Sequence, residues 1–200
     1  MQIQQVIFDF GGVLVDWNPR YLYINEFPNE SAMEEFLATI CTEEWNLEQD
    51  RGRTLAEGTR LLQEQFPDHH KLIALFYGNW ETMLRNEITA NVTALKKLKE
   101  KYPVYGLTNW SAETFPIALR RFDFFEVFDG IVVSGVEKMI KPDKQFFQLL
   151  LDRYQLTAAN SLFIDDNPKN INAANEMGFS TIQIKENTNL EEVLKQMEIL

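Results

Sequence analysis

Asp9, Thr108, Lys141, Asp165 and Asp166 are the residues of this 200-residue chain whose types and placing suit one chemistry. Unlike a serine, a carboxylate needs no base to make it a nucleophile at neutral pH. Asp9 follows the apolar run Val6-Ile7-Phe8 and precedes Gly11-Gly12, where glycine permits close approach of a ligand to the main chain. Asp165 and Asp166 follow a second apolar run, Leu162-Phe163-Ile164. Carboxylates gathered from two strand ends suit one hard cation such as Mg²⁺. That ion would screen Asp9 from an incoming phosphate and neutralise charge developing on the transferred group. The Thr108 hydroxyl, with local amides, would hold phosphoryl oxygens. Lys141 would offset the clustered negative charge and bind both nucleophile and phosphate. Each piece alone has a bland reading, Asp9 for instance as a turn residue satisfied by amides; the four together, in this order, point to phosphoryl chemistry.

For these residues to meet, their elements must end on one edge. Val6–Phe8, Val104–Leu107, Ile131–Ser134, Ser161–Ile164 and Thr181–Ile184 read as strands, and helical patterns separate all but the first two directly. Such alternation predicts a parallel, doubly wound α/β sheet with right-handed crossovers, whose carboxyl edge is where ligands bind. From Trp17 to about Glu87 the periodicity is helical, with no convincing strand. Ser31–Glu34 and Thr54–Glu57 have the form of capping boxes, and Leu72, Ile73, Leu75, Phe76, Trp80, Met83 and Leu84 form a third apolar stripe. The expected organisation is a core of residues 1–16 and 88–200 interrupted by a helical bundle at 17–87. Asn91 and Asp143 are expected helix caps, Pro168 a helix start and Gly178 a helix stop.

Composition limits the partners. Hydrophobic residues make up 45% of the chain, enough for a packed core, and the formal net charge is −11. That balance disfavours nucleic acid and anionic membrane surfaces. No apolar run approaches the roughly 18–20 residues that span a bilayer. Cys41 is the one cysteine, consistent with a reducing compartment, and a cytoplasmic location is expected.

On these motifs the chain resembles the haloacid dehalogenase superfamily. Asp9-Phe10-Gly11-Gly12-Val13-Leu14 stands for the first motif, Thr108-Asn109 for the second, Lys141-Pro142 for the third and Asp165-Asp166-Asn167-Pro168-Lys169-Asn170 for the fourth. The resemblance implies a three-layer, Rossmann-like core with a type-one helical cap that selects the substrate. It also implies Asp9 as nucleophile and metal ligand, a Mg²⁺ held further by the Gly11 carbonyl and Asp166, and Asp165 beside the metal or reaching it through water. Thr108, Asn109 and Lys141 would bind the phosphoryl group of a small metabolite. The look is nearest the branch that includes bacterial α-D-glucose-1-phosphate phosphatase, which implies a sugar phosphate. One departure stands out: most phosphatases of the superfamily carry an aspartate as general acid where this chain has Gly11. Loss of a general acid costs on the order of 10²–10⁴ in rate, and a sugar 1-phosphate, with its more acidic leaving oxygen, needs protonation least.

Two other readings stay open. A dehalogenase would keep Asp9 but attack carbon, and paired carboxylates at Asp165-Asp166 would repel a haloacid. A binding or regulatory module would keep the fold without turnover, with Gly11 as its support. Elsewhere, His69-His70 reads as a solvated helix start, and Asp16 and Trp17 as substrate contacts. Trp45, Arg51 and Arg53 read equally as an inner cap face or a surface turn. Phe122, Phe124, Phe125 and Phe128 read as core, and Asn170 as support for Asp166.

Overall fold

The computed structural model describes residues 2–200. Chain order runs β1 (Gln5–Phe8), β2 (Val15–Trp17), α1 (Arg20–Tyr23), α2 (Glu30–Thr39), α3 (Glu43–Asp50), α4 (Leu55–Gln65), α5 (His70–Gly78), α6 (Trp80–Met83), β3 (Leu84–Glu87) and α7 (Thr89–Lys99). It continues with β4 (Val104–Thr108), α8 (Phe115–Arg121), β5 (Gly130–Val133), α9 (Ser134–Glu137), α10 (Lys144–Tyr154), β6 (Ser161–Asp165), α11 (Pro168–Glu176), β7 (Ser180–Gln183) and α12 (Leu190–Gln196). Five strands form one parallel sheet in the order β5-β4-β1-β6-β7. The α/β class expected from the strand-helix alternation is the one found.

Because side chains alternate across a strand, even the fully buried β1 splits its residues between two cores. Val6 and Phe8 join Leu162 and Ile164 on one face, against α7 and α12 residues such as Leu95 and Leu194. Ile7, Leu107, Val132 and Phe163 face Phe146, Phe147 and Leu150 of α10. With helices on both faces, every strand end carrying a polar residue is forced onto the sheet's edges rather than into its faces. Val6 pairs with Val104 and Leu162, which sets Asp9, Thr108 and Asp165 on neighbouring strand ends.

The first turn is shaped for that edge. Gly12 has φ +69°, a left-handed angle that glycine adopts without cost. It lets Val13, Leu14 and Val15 all direct N–H groups at the Phe10 carbonyl. The Phe10 ring occupies the space a side chain on Gly106 would need and packs edge-on against Phe125 and Phe128 at 5.0 and 5.2 Å. The phenylalanines of the 122–128 stretch are thus core beneath the edge, as expected.

Several local expectations are corrected. The segment from Trp17 to Glu87 does hold a strand: β3 pairs antiparallel with β2, Trp17 opposite Leu84. Helix α2 is capped by Asn29, which accepts from the Ala32 N–H, and Ser31 lies inside the helix. Helix α7 begins at Thr89, and the Asn91 amide donates instead to the Val13 carbonyl at 2.7 Å, tying the first turn to α7. Asp143 occupies the N-cap position of α10 without a side-chain bond. Thr54 caps α4 through the Glu57 N–H, and Gly178 (φ +92°) follows the end of α11, both as expected. Among the described residues no helix is long and apolar enough to cross a membrane.

Candidate active site

Lys141 organises the carboxyl edge. It is 1% exposed, and its ammonium lies 2.9 Å from Asp9 Oδ1 and 2.7 Å from Asp165 Oδ2. Burial alone would lower its pKa, but the two carboxylates outweigh that and hold it above the ordinary lysine value. The buried amine is therefore charged, as a buried cation must be paired to be tolerated. Its main chain is gripped as well: Asn109 Nδ2 donates to the Lys141 carbonyl at 2.9 Å, and the Lys141 N–H donates to Asn109 Oδ1 at 2.8 Å. Asn109 thus holds the Lys141 main chain with its Oδ1 and one N–H of its Nδ2, while its side chain lines the cavity with the second N–H of that amide unused.

Asp165 is fully buried. Its Oδ1 accepts from the Asn167 N–H and Asn170 Nδ2, and its Oδ2 from Lys141 and Asn170 Nδ2. Those donors fill its roughly four lone-pair directions. Asp165 thus fixes Lys141, and Asn170 supports Asp165 rather than Asp166 as expected. Asp9 and Asp166 are the members of the group with carboxylate oxygens left to face a cation.

Asp9, Asp165 and Asp166 each present a carboxylate oxygen within 4.8 Å of the others. The crowding shows in the titration of two of them. Burial first, opposed by Lys141 and reinforced by Asp165 and Asp166, pushes Asp9 up to about 7. Burial and then Asp165 push Asp166 up to about 6. Carboxylates whose proximity makes their charged forms unfavourable are a ready cation site, and an oxygen-only set suits Mg²⁺. Gly12 completes the fit: a Cβ there would run into Asp166 Oδ2. Gly11 lines the same cavity, with nothing within 4 Å of where its side chain would begin.

At the end of β4 the Thr108 hydroxyl is buried without a hydrogen-bond partner. A buried hydroxyl left unpaired costs about 1–3 kcal/mol, which a bound oxygen would recover. Thr108 lies beside Asp9 in the strand order.

A cavity of about 750 Å³ opens from this edge. One wall is Asp9, Gly11, Asn109, Lys141 and Asp166; the other belongs to the helices between β2 and β3 and to the turn entering them, with Trp17, Leu37, Leu47, Asp50, Phe76 and Trp80. Trp17, expected to contact substrate, lines the cavity, and its Nε1 is buried without a partner. Asp16 does not: it accepts from the Tyr21 hydroxyl at 2.9 and 3.0 Å and is not on the cavity wall. Trp45 packs on Phe76 and Tyr77 behind that wall. Arg51 pairs with Asp143 at 3.2 Å, and Arg53 with Gln49 Oε1. Neither guanidinium lines the cavity. The sole three-residue carboxylate, cysteine or histidine cluster among the described residues is the aspartate one, and His69-His70 is not part of it. Asp50 was not singled out in the sequence, having no local signature among 30 acidic residues.

Known proteins place this architecture. The sequence model described as hydrolase, haloacid dehalogenase-like hydrolase, matches residues 3–178. The sesquiterpene phosphatase astK of Aspergillus oryzae is 31% identical over 176 residues, covering 86% of this chain and 85% of that protein. The drimenol cyclase drtB of Aspergillus calidoustus is 28% identical over 90% of this chain, which spans only 34% of that larger protein. A HAD family enzyme of Bacteroides thetaiotaomicron has the same fold, with a TM-score of 0.77 at 24% identity over 97% of this chain and 99% of that one. The same enzyme has been crystallised with magnesium and inorganic phosphate.

Proposed function

From the premise that this chain belongs to the haloacid dehalogenase-like hydrolases, we propose that it is a Mg²⁺-dependent phosphomonoesterase acting on a small phosphorylated metabolite. The observation that carries this reading is the set of carboxylate oxygens of Asp9, Asp165 and Asp166 within 4.8 Å of one another, on the edge where the Thr108 hydroxyl lacks a partner. Asp9, the Gly11 carbonyl and Asp166 would hold Mg²⁺, with Asp165 behind them. When bound, the ion neutralises charge on the phosphoryl oxygens. Asp9 attacks phosphorus in line, and the ester oxygen departs, leaving an aspartyl-phosphate that water hydrolyses. Thr108 donates to a phosphoryl oxygen, and Lys141 faces the transferred group with a charge already fixed by Asp165. Asn109 keeps Lys141 in place.

Residues 17–87 act in this reading as a cap over a core of 1–16 and 88–200, excluding water and choosing the substrate. The cavity they share with the edge supports it. A sugar phosphate is the substrate class suggested by the sequence motifs, and the free Trp17 Nε1 and the Asn18 side chain on the cavity wall suit hydroxyl groups. A second class has its own support: Trp17, Leu37, Leu47, Phe76, Trp80 and Trp110 give that wall an apolar, aromatic stretch, suited to a prenyl phosphate, and the Aspergillus oryzae relative is named a sesquiterpene phosphatase.

The test is phosphate release from sugar phosphates and from farnesyl phosphate, with and without Mg²⁺, for wild type and Asp9→Asn. Mg²⁺-dependent release lost in the variant is the expected result, and the better substrate class decides between the two. No release from any ester, by a protein that still binds Mg²⁺, would replace the enzyme with a binding or regulatory module.

A further inference from the structure

The site as described has a nucleophile, a cation site and phosphoryl donors, but no group to protonate the leaving oxygen. Gly11 stands where the superfamily's usual acid would be, and the open space at its Cβ position shows that packing does not impose the glycine. The remaining titratable groups on the cavity wall are mostly committed or remote. Arg20 and Glu34 neutralise one another, Glu43, Glu44 and Lys169 are exposed, and burial holds the Tyr77 hydroxyl above its ordinary pKa. Asp50 is different.

Asp50 ends α3 and lines the cavity, and it is bolted to the sheet edge. Ser134 Oγ donates to the Asp50 carbonyl at 2.6 Å, and the same Oγ accepts from the Trp110 N–H at 2.8 Å. The Asp50 carboxylate accepts from Asn46 Nδ2 at 3.2 Å, and the backbone N–H of Ser111, three residues beyond Thr108, favours its charged form. The next residues repeat the attachment, through Arg51–Asp143 and through the Leu55 N–H to Glu113 at 2.8 Å. These ties fix an acid from the helical segment over the loop that follows Thr108. The charge of Asp9 acts on Asp50 without a hydrogen bond between them. Burial, opposed by the Ser111 N–H and reinforced by Asp9, pushes Asp50 up to about 7, so a protonated fraction is present at neutral pH.

We propose that Asp50, reaching the cavity from the helical segment, is the general acid and base of the hydrolysis, in place of the carboxylate absent at Gly11. This rests on the phosphatase reading above. In the first step an Asp9 oxygen forms a bond to phosphorus while the bond from phosphorus to the ester oxygen breaks. The leaving oxygen keeps the electron pair and takes the proton of the Asp50 carboxylic acid, giving an alcohol, the aspartyl-phosphate and an Asp50 carboxylate. In the second, that carboxylate takes a proton from water as the water oxygen bonds to phosphorus. The phosphorus–Asp9 bond breaks, restoring the Asp9 carboxylate and the Asp50 acid and releasing inorganic phosphate.

The experiment is a leaving-group series with the full chain and Mg²⁺, from p-nitrophenyl phosphate through phenyl phosphate to an alkyl phosphate. Wild type, Asp50→Asn, Asp50→Glu and the double variant Gly11→Asp/Asp50→Asn are compared. Asp50→Asn is expected to lose about 10²–10⁴ in kcat/KM on the alkyl ester, with the loss shrinking at least about tenfold toward the p-nitrophenyl ester, whose leaving oxygen needs no proton. Asp50→Glu retains the shallow dependence, and Gly11→Asp in the Asp50→Asn background recovers alkyl phosphatase activity. An equal loss across the series, with no recovery in the double variant, would make Asp50 a structural tie or a substrate-hydroxyl acceptor and overturn the proposal. Failure of wild type on every ester would instead overturn the phosphatase reading on which it rests. If Asp50→Asn does not fold, Asp50→Ser carries the same comparison.

Discussion

Replacing the nucleophile should make the metal-free protein more stable while abolishing turnover. Asp9 is 8% exposed, and its pKa stands raised from 3.8 to about 7 in the folded state. The fold thus favours the neutral form, and the associated stability is present in full below about 3.8 and is lost as pH rises to about 7. At 1.36 kcal/mol per unit, the charged form costs the fold at most about 4 kcal/mol. The neutral Asp9→Asn side chain escapes that cost and keeps an oxygen for Lys141. After relaxation, its advantage over wild type is expected to be about 2–4 kcal/mol at about pH 8, falling to roughly 1–2 kcal/mol at about pH 5. Urea denaturation of chelator-treated wild type and variant at the two pH values measures it, with midpoints compared at equal slope. Mg²⁺ should then raise the wild-type midpoint and leave the variant nearly unchanged, because a cation that binds only the folded state stabilises by mass action. An Asp9→Asn midpoint equal to wild type at both pH values would refute the view that this carboxylate is held against its own charge.

Thr108→Val removes a buried hydroxyl that has no partner; folding stability should hold or rise by up to about 1 kcal/mol, while phosphate release falls roughly 10²-fold, read by thermal melts beside steady-state kinetics. Gly12→Ala places a methyl against Asp166 at a backbone angle of φ +69°, so calorimetry should show at least about a tenfold loss of Mg²⁺ affinity with about 1–2 kcal/mol of destabilisation. Asn109→Ala releases the Lys141 main chain and should cost about 1–3 kcal/mol in stability, with a fall in kcat that added Mg²⁺ does not repair.

Strand ends were readable because an apolar run closed by a polar residue is a purely local signal. Val6–Asp9, Val104–Thr108 and Leu162–Asp165 all carry it, and all lie on one edge. Helix starts were readable where one capping residue stands alone, as at Thr54. They were misread where the true cap lies upstream of a better-looking pattern, as with Asn29 before Ser31. Strand β3 was hidden because Leu84-Arg85-Asn86-Glu87 buries chiefly its leucine, so no alternation marks it. The pairings that decide roles are long-range and leave no trace in composition: Asn109 grips a residue 32 positions away, and Arg51 finds Asp143 across 92. Asp50 belongs with these, since what sets it apart is the Ser134 and Ser111 groups brought to it by the fold.

The β2–β3 ribbon has a further consequence. Chain leaving the sheet edge at Trp17 comes back opposite itself at Leu84, so the segment between those points can change in length without shifting the strand ends at Asp9, Thr108 and Asp165, provided the ties of Asp50 to Ser134 and of Leu55 to Glu113 are kept. On the cap reading proposed above, such an arrangement lets the recognition of new compounds diversify while the reaction stays constant. The role proposed for Asp50 limits that freedom: under it, a transplanted helical segment must bring an acid to the same spot, or the recipient must regain one at Gly11.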